Sequence, residues 1–115
     1  MTSVATGQRA EGVAARFLEY KGCRIVCRNW RTRMCEIDIV AERNGTLYFC
    51  EVKYRASARQ GTGLDYITAK KLQQMQFAAR SWVHAHAYAG DYRLCAIEVS
   101  GPRFQITAAI NDLTV

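Results

Sequence analysis

No run of apolar residues in this sequence approaches the length needed to cross a lipid bilayer. The first residues also lack the basic stretch and following apolar run of a secretory signal. Only one proline, Pro102, interrupts the chain, and no repeat or low-complexity tract suggests a linker between domains. We therefore expect a single cytoplasmic domain over residues 1–115, without a membrane partner.

Cysteine and histidine patterns that bind metals are also missing. The five cysteines are odd in number and include no Cys-x-x-Cys pair, which argues against a zinc site and a disulfide framework. We expect them to be small buried side chains in a reducing compartment. His84 and His86 would point apart on a helix, so a pair of histidine ligands is not expected there. The cysteines are Cys23, Cys27, Cys35, Cys50 and Cys95.

Acidic residues are outnumbered by basic ones. The sequence has 10 Asp and Glu against 16 Lys and Arg, which gives a formal net charge of +6. This excess favours polyanionic partners, and nucleic acid is the first candidate among them. A basic surface that only improves solubility is an equally good interpretation of the charge alone. With 50% apolar and 23% charged residues, the composition is that of a folded domain rather than a disordered chain.

The spacing of the apolar residues predicts two long helices and about five strands. Their order is helix, three strands, helix and two strands. It indicates an α/β fold with a central mixed sheet flanked by two main helices, because a long helix between two strands favours a right-handed parallel crossover. Basic loops are expected at residues 28–33 and 54–63. The predicted helices are residues 7–21 and 68–86, and the predicted strands outside the central hairpin are residues 23–27, 92–99 and 103–109.

Residues 34–53 predict a β-hairpin with two different faces. Asn44-Gly45 indicates a two-residue turn, because both central positions of that turn need positive φ. Such a turn sets the register, with Arg43 facing Thr46. One face then carries three opposed pairs: Glu36 and Lys53, Asp38 and Glu51, and Val40 and Phe49. The other face carries an apolar set suited to burial against a helix, namely Ile37, Ile39, Ala41, Tyr48, Cys50 and Val52.

The opposed acids of this hairpin indicate a cation site. Asp38 and Glu51 would have Cβ atoms roughly 4.5 to 5.5 Å apart, where like charges are destabilising. Mg²⁺ suits such a pair because it takes one or two carboxylates, keeps several waters and binds phosphate oxygens. Lys53, on the same face, would then position an attacking water or help to deprotonate it. The structural alternative is that Glu36 pairs with Lys53, while the two opposed acids share a proton or turn to solvent.

The order of these residues resembles the YraN family of small bacterial proteins. The resemblance covers residues 7–82, and two positions depart from the family pattern: Cys35 stands where glycine is usual, and Cys95 where aspartate is usual. The family is similar to the restriction-endonuclease-like PD-(D/E)xK nucleases and, in pattern, to archaeal Holliday-junction resolvases. The segments that carry the resemblance are Gly7-Gln8-Arg9-Ala10-Glu11, Gly22, Arg28-Asn29-Trp30-Arg31, Glu36-Ile37-Asp38-Ile39-Val40, Phe49-Cys50-Glu51-Val52-Lys53 and Lys71.

The resemblance implies a restriction-endonuclease-like fold and a nuclease-type site. Carried over to this sequence, it implies that Asp38 and Glu51 bind Mg²⁺ or Mn²⁺ and that Lys53 assists the attacking water. By sequence alone Glu11 is a solvated residue at the edge of a helical stripe, but the resemblance makes it a fourth catalytic residue. Lys71 falls on a recurrent lysine of the family and is expected to contact phosphate.

The favoured function is therefore metal-dependent hydrolysis of DNA phosphodiester bonds, on branched or structured DNA. One alternative is a catalytically idle nucleic-acid-binding module of the same fold, and another is a protein-interaction domain. Resolvase-like enzymes act in pairs, so a homodimer is compatible with this function, although no apolar stripe in the sequence requires one. The residues expected to hold the nucleic acid are Arg28, Arg31, Arg33, Arg55, Arg59 and Lys71.

Overall fold

The computed structural model describes residues 2–57 and 64–113, and the account below concerns these residues. They form two helices and five strands, in an order that confirms the α/β mixed-sheet prediction. Neither helix in these ranges has the length and hydropathy that crossing a lipid bilayer requires. The elements are α1 (Ser3–Tyr20), β1 (Arg24–Arg31), β2 (Glu36–Arg43), β3 (Thr46–Arg55), α2 (Ala69–Ala85), β4 (Asp91–Ser100) and β5 (Gln105–Ile110).

A five-stranded sheet forms the centre of the molecule, with its strands in the order β1-β2-β3-β4-β5. Its neighbours are antiparallel except β3 and β4, which run parallel and are joined by α2 as a crossover. The β2–β3 register agrees with the one predicted from the turn, because Arg43 faces Thr46. Both turn residues have positive φ, 52° at Asn44 and 81° at Gly45.

Local signals define both ends of α1. At the N-terminus, the Thr2 hydroxyl accepts a hydrogen bond from the N–H of Ala5 at 3.0 Å. At the C-terminus, Gly22 has a φ of 93°, and its N–H donates to the carbonyl of Glu19 at 2.9 Å. Glycine adopts this left-handed conformation without strain, so the chain leaves the helix and enters β1 after a short turn.

Helices cover both faces of the sheet, so the central hairpin contributes to two cores. On one face, α1 packs onto Ile39 and Cys50. On the other face, α2 packs onto Val40 and Phe49. Successive residues of a strand point to opposite faces, which is why the neighbours Ile39 and Val40 belong to different cores. The middle of the hairpin, at Ile39, Val40, Phe49 and Cys50, is therefore apolar on both sides.

The regular alternation of β1 and β2 breaks beside Asp38. The predicted apolar set places Ile37 on the same face as Ile39, but this placement is wrong, because Ile37 is buried in the core under α2. Its partner on β1, Trp30, packs into the same core. Asn29, the residue before Trp30, has a φ of 54°, a left-handed conformation that interrupts the pleat. Both strands thus change faces at this point.

A disulfide joins Cys50 to Cys95, so the expectation of unpaired cysteines is wrong for these two. They face each other in the parallel register of β3 and β4, with Cα atoms 4.6 Å apart, and both are buried. The two cysteines are 45 residues apart along the chain, and the α2 crossover brings their strands together. The spacing of cysteines in the sequence does not show that they would meet. The other three cysteines, Cys23, Cys27 and Cys35, are free.

Two segments predicted as basic loops are partly strand. β1 continues to Arg31 and β3 continues to Arg55. The reason is that each finds a ladder partner: Arg31 faces Glu36, and Arg55 faces Ser100. Strand formation in polar sequence depends on such neighbours more than on intrinsic preference. The rest of the second predicted loop, residues 58–63, lies outside the described residues.

Candidate functional site

The site lies where β2 and β3 part. Their ladder ends at Ile39 and Cys50, while β2 stays paired with β1 and β3 stays paired with β4 beyond that point. The next opposed residues in this register are Asp38 and Glu51. The N–H of Val52 donates to Asp38 Oδ2 at 2.8 Å. The side-chain carboxylate of Asp38 thus accepts a backbone hydrogen bond from β3 just beyond the last paired residues. This bond fixes Asp38 at the opening between the strands.

The carboxyl group of Asp38 is strongly perturbed. Burial, the charge of Glu51 and, more weakly, the charges of Glu11 and Glu36 raise its pKa from 3.8 to about 7, although the Val52 hydrogen bond acts in the opposite direction. Asp38 therefore holds a proton to a much higher pH than an exposed aspartate does. The opposed acids predicted from the hairpin register are close enough to interact.

Glu11 is directed from α1 toward the same opening. Burial raises the pKa of its carboxyl, and a hydrogen bond from the Asn29 side chain and the charge of Arg28 partly offset this effect. Among the described residues, its Oε1 is buried without a hydrogen-bond partner, and the Nη2 of Arg28 is 3.9 Å away. Such an oxygen carries a desolvation cost that a bound water or cation would remove. The charge of Glu11 also acts on Asp38, so the two carboxyl groups lie near each other.

Glu51 has a basic partner from the second helix. Its Oε1 lies 2.9 Å from the Nζ of Lys71, which belongs to the first turn of α2. The hydroxyl of Thr68 caps this turn by accepting a hydrogen bond from the Lys71 N–H at 3.1 Å. Lys71, expected at a phosphate, thus neutralises Glu51 in this structure. Both side chains are partly exposed, at 33% for Lys71 and 21% for Glu51, so the pair is open to ligands.

The structure does not bring Glu36 to Lys53. Glu36 Oε2 lies 3.3 Å from the Nη2 of Arg31, its ladder partner on β1. Lys53 is exposed on β3, beyond the point where the two strands part. The alternative interpretation of a Glu36–Lys53 ion pair is therefore wrong, because at this end of the sheet β2 stays paired with β1 and has separated from β3.

The predicted nucleic-acid-binding arginines fall into three groups. Arg28, Arg31 and Arg33 are exposed on β1 and in the turn that follows it. Arg55 is engaged with acids: its Nε lies 2.5 Å from Glu98 Oε2, its Nη2 lies 2.6 Å from Asp65 Oδ1, and its side chain is only 11% exposed. This arrangement favours a structural role for Arg55 over contact with a nucleic-acid backbone. Arg59 lies outside the described residues.

Two residues at the site were not predicted. Asn29 holds Glu11, and its positive φ marks the break in alternation beside Asp38. Tyr66 precedes α2, and its buried hydroxyl has no partner among the described residues. Burial and the negative charges of Glu51 and Glu98 raise the pKa of this hydroxyl. Asn29 lies within a segment that carried the family resemblance, whereas no sequence signal distinguished Tyr66 from a core residue.

The acids of this site have the donor chemistry of a hard divalent cation. Within residues 2–57 and 64–113, no group of three or more His, Cys, Asp and Glu side chains is close enough to hold a metal. Mg²⁺ does not need such a group, since one or two carboxylates and several waters satisfy it. The repulsion at Asp38 and the unpartnered oxygen of Glu11 are both features that a cation would relieve. Asp38 and Glu51, supported by Glu11, therefore fit Mg²⁺ or Mn²⁺.

Comparison with known proteins identifies the relatives of this chain. The family model described as "Uncharacterised protein family UPF0102" matches residues 10–108. The chain belongs to the UPF0102 family. This membership confirms the resemblance to YraN proteins, and the UPF0102 match includes Glu11, Asp38, Glu51, Lys53 and Lys71.

UPF0102 relatives occur in several bacteria. A UPF0102 protein of Parafrankia sp. (strain EAN1pec) is 44% identical over 82 residues, which are 71% of this chain and 70% of the relative. One from Frankia casuarinae is 36% identical over 99 residues, 85% of this chain and 84% of the relative. One from Cytophaga hutchinsonii is 31% identical over 106 residues, 92% and 94% of the two chains. These UPF0102 proteins thus match this chain along most of its length.

Proposed function

We propose that this UPF0102 protein is a divalent-metal-dependent endonuclease that hydrolyses phosphodiester bonds in DNA. The observation that carries the proposal is the pair Asp38 and Glu51, placed where β2 and β3 part. Stability gives no reason for this pair, because burial and repulsion raise the pKa of Asp38 to about 7. A bound cation does give a reason, and clusters of this kind occur preferentially at functional sites. The net charge of +6 supports a polyanionic substrate.

The position of each residue suggests its role. Asp38 and Glu51 would hold the ion, and Glu11 would orient a water through its unpartnered oxygen. When bound, Mg²⁺ supplies charge neutralisation at the phosphate and lowers the pKa of water. Lys53, exposed two residues beyond Glu51, would hold the attacking water or stabilise charge on the phosphate. Lys71, whose Nζ lies 2.9 Å from Glu51 Oε1, would contact the phosphate.

The exposed arginines of β1 support binding of a nucleic-acid backbone. Arg31 is paired with Glu36 at 3.3 Å, but both side chains are largely exposed, so the pair contributes little and a phosphate can compete for the arginine. Arg28 and Arg33 are exposed on the same strand and in the following turn. Guanidinium groups bind phosphate oxygens through two parallel hydrogen bonds, which suits this role.

The test is cleavage of four labelled DNA forms, which are duplex, single-stranded, flapped and four-way junction. We expect wild type to cleave at least one form in Mg²⁺ or Mn²⁺ and none in EDTA. Asp38→Asn and Glu51→Gln should each lower the rate by about a hundredfold or more, because each removes a carboxylate from the ion. Asp91→Asn, an exposed acid at the start of β4, is the matched control. Equal behaviour of wild type and Glu51→Gln on all four forms would exclude this function.

A catalytically idle nucleic-acid-binding module is the second candidate. It is favoured by the ion pair that Lys71 already makes with Glu51 at 2.9 Å. Under this alternative, gel-shift binding weakens steeply with salt, no DNA form is cleaved, and calorimetry shows no binding of Mg²⁺ or Mn²⁺. Cleavage that depends on Glu51 would exclude it.

Branched DNA as the substrate and a homodimer as the active form are finer predictions. Two copies would place one site on each of two DNA strands. Sedimentation velocity with a four-way junction tests the point, because a dimer adds roughly twice the 13.0 kDa of one chain to the complex.

A further inference from the structure

A cleft opens beside Glu51, between α2 and the turn that joins β1 to β2. Its volume is about 540 Å³. Pockets for small organic ligands measure about 300 to 1,000 Å³, so one nucleotide fits the available space. Glu51 and Lys71 are among the residues that line this cleft, so it adjoins the candidate active site. We refer to it below as the α2 cleft.

Two exposed apolar side chains line the α2 cleft. Among the described residues, only five large apolar side chains are exposed, and two of these, Met34 at 78% and Phe77 at 44%, line this one cleft. Apolar side chains that are exposed together mark binding surfaces. The backbone of the turn that carries Met34 is held in place, because the Thr32 hydroxyl accepts the N–H of Met34 at 3.0 Å and the N–H of Cys35 at 3.2 Å.

The polar lining of the α2 cleft suits a nucleotide better than an apolar peptide. Lys70 and Lys71 supply positive charge at its helical wall, and Gln73 and Gln74 supply amide groups. Ammonium groups attract phosphate, and amides hydrogen-bond to the edges of bases that are not paired. A purely apolar partner would cover Lys70, Gln73 and Gln74 without offering them hydrogen bonds.

We propose that the α2 cleft binds one unpaired base of a DNA strand, held between Met34 and Phe77 beside the scissile phosphate. The inference rests on the proposed function and names its substrate class, which is DNA with an unpaired nucleotide next to the cleavage point. The amides of Gln73 and Gln74 read the edge of the base, and Lys70 contacts the adjoining phosphate. A base within an intact duplex is stacked and paired, so it does not reach such a cleft.

The test measures binding in EDTA, so it does not depend on cleavage. The probe is a duplex with one bulged 2-aminopurine, and the reference is the same duplex with 2-aminopurine paired to thymine. We expect wild type to bind the bulged duplex more tightly and to quench its fluorescence. Because stacking on an aromatic side chain is worth about 1 to 3 kcal/mol per base, Phe77→Ala should weaken that binding by about 5-fold to 150-fold. It should leave binding of the paired duplex unchanged.

Matched variants make the outcome decisive. Ile110→Ala is the control, because Ile110 is exposed to the same extent as Phe77, 43% against 44%, but lies on β5. Phe77→Trp should restore the preference, since it keeps an aromatic face. Equal affinity of wild type for both duplexes, or equal loss on both duplexes in Phe77→Ala, overturns the inference. An unchanged 2-aminopurine signal, as expected if the cleft receives a protein side chain instead, also overturns it.

The two proposals fail separately. If no DNA form is cleaved but the bulge preference depends on Phe77, the endonuclease proposal fails and the cleft assignment stands. If cleavage depends on Glu51 but shows no preference for unpaired positions, the cleft assignment fails alone.

Discussion

Replacing Asp38 with asparagine should stabilise the folded protein above neutral pH. The pKa of Asp38 is raised from 3.8 to about 7, so the folded state holds a proton that the unfolded state has released. Stability from this group is therefore complete below about pH 4 and is lost as the pH rises through about 7. At 1.36 kcal/mol per pKa unit, the full loss is about 4 kcal/mol. Because Asp38 keeps some contact with solvent, we reduce this to about 2 to 3 kcal/mol.

Urea unfolding without divalent cations measures this effect. Asp38→Asn stays neutral at every pH and keeps an oxygen that accepts from the Val52 N–H, so it should exceed wild type by about 2 to 3 kcal/mol at pH 8. At pH 4.5 the two should differ by less than about 1 kcal/mol. Asp91→Asn is the control for removing one negative charge. A wild type that is as stable as Asp38→Asn at pH 8, or more stable, refutes the proposed repulsion at the site.

Three further predictions concern the ion, the buried arginine and the hairpin turn. At pH 8, Mg²⁺ at a hundred times its Kd should raise the unfolding free energy of wild type by about 2.7 kcal/mol, and Glu51→Gln should abolish the gain in thermal unfolding. Arg55→Met should cost about 3 to 5 kcal/mol in urea unfolding, because it leaves Glu98 buried without that partner; adding Glu98→Leu to the same chain should recover most of the loss. Gly45→Ala should lower stability by about 1 to 2 kcal/mol in the same assay, because φ is 81° there, and an unchanged midpoint contradicts this.

The parts of the site that follow from local rules were predictable from the sequence. Asn44-Gly45 sets the turn, the turn sets the register, and the register brings Asp38 opposite Glu51. This chain of reasoning needs only two turn residues and the alternation of a strand. The position of Glu11 needed the family resemblance, because a residue at the edge of a helical stripe is solvated more often than it is part of a site.

The features that depend on tertiary neighbours were not predictable in the same way. Lys71 reaches Glu51 only because α2 crosses the sheet at this end. Cys50 meets Cys95 only because β3 and β4 are parallel and in register. The shift of Ile37 to the other core follows from one left-handed residue on a neighbouring strand, which alternation within β2 does not report. Contacts between residues far apart in the sequence, and a single residue with positive φ, therefore account for the parts of the site that the sequence did not predict.

The disulfide means that the two halves of the site are held to their neighbouring strands by different kinds of bond. Cys50 directly precedes Glu51, so the backbone that carries Glu51 is covalently fastened to β4. Asp38 contacts β3 through the hydrogen bond that its carboxylate accepts from the Val52 N–H, and the adjoining Ile39 is paired with Cys50. The backbone of Glu51 is therefore held to β4 by a covalent link, whereas Asp38 is held by the hydrogen-bonded pairing of β2 with its neighbours.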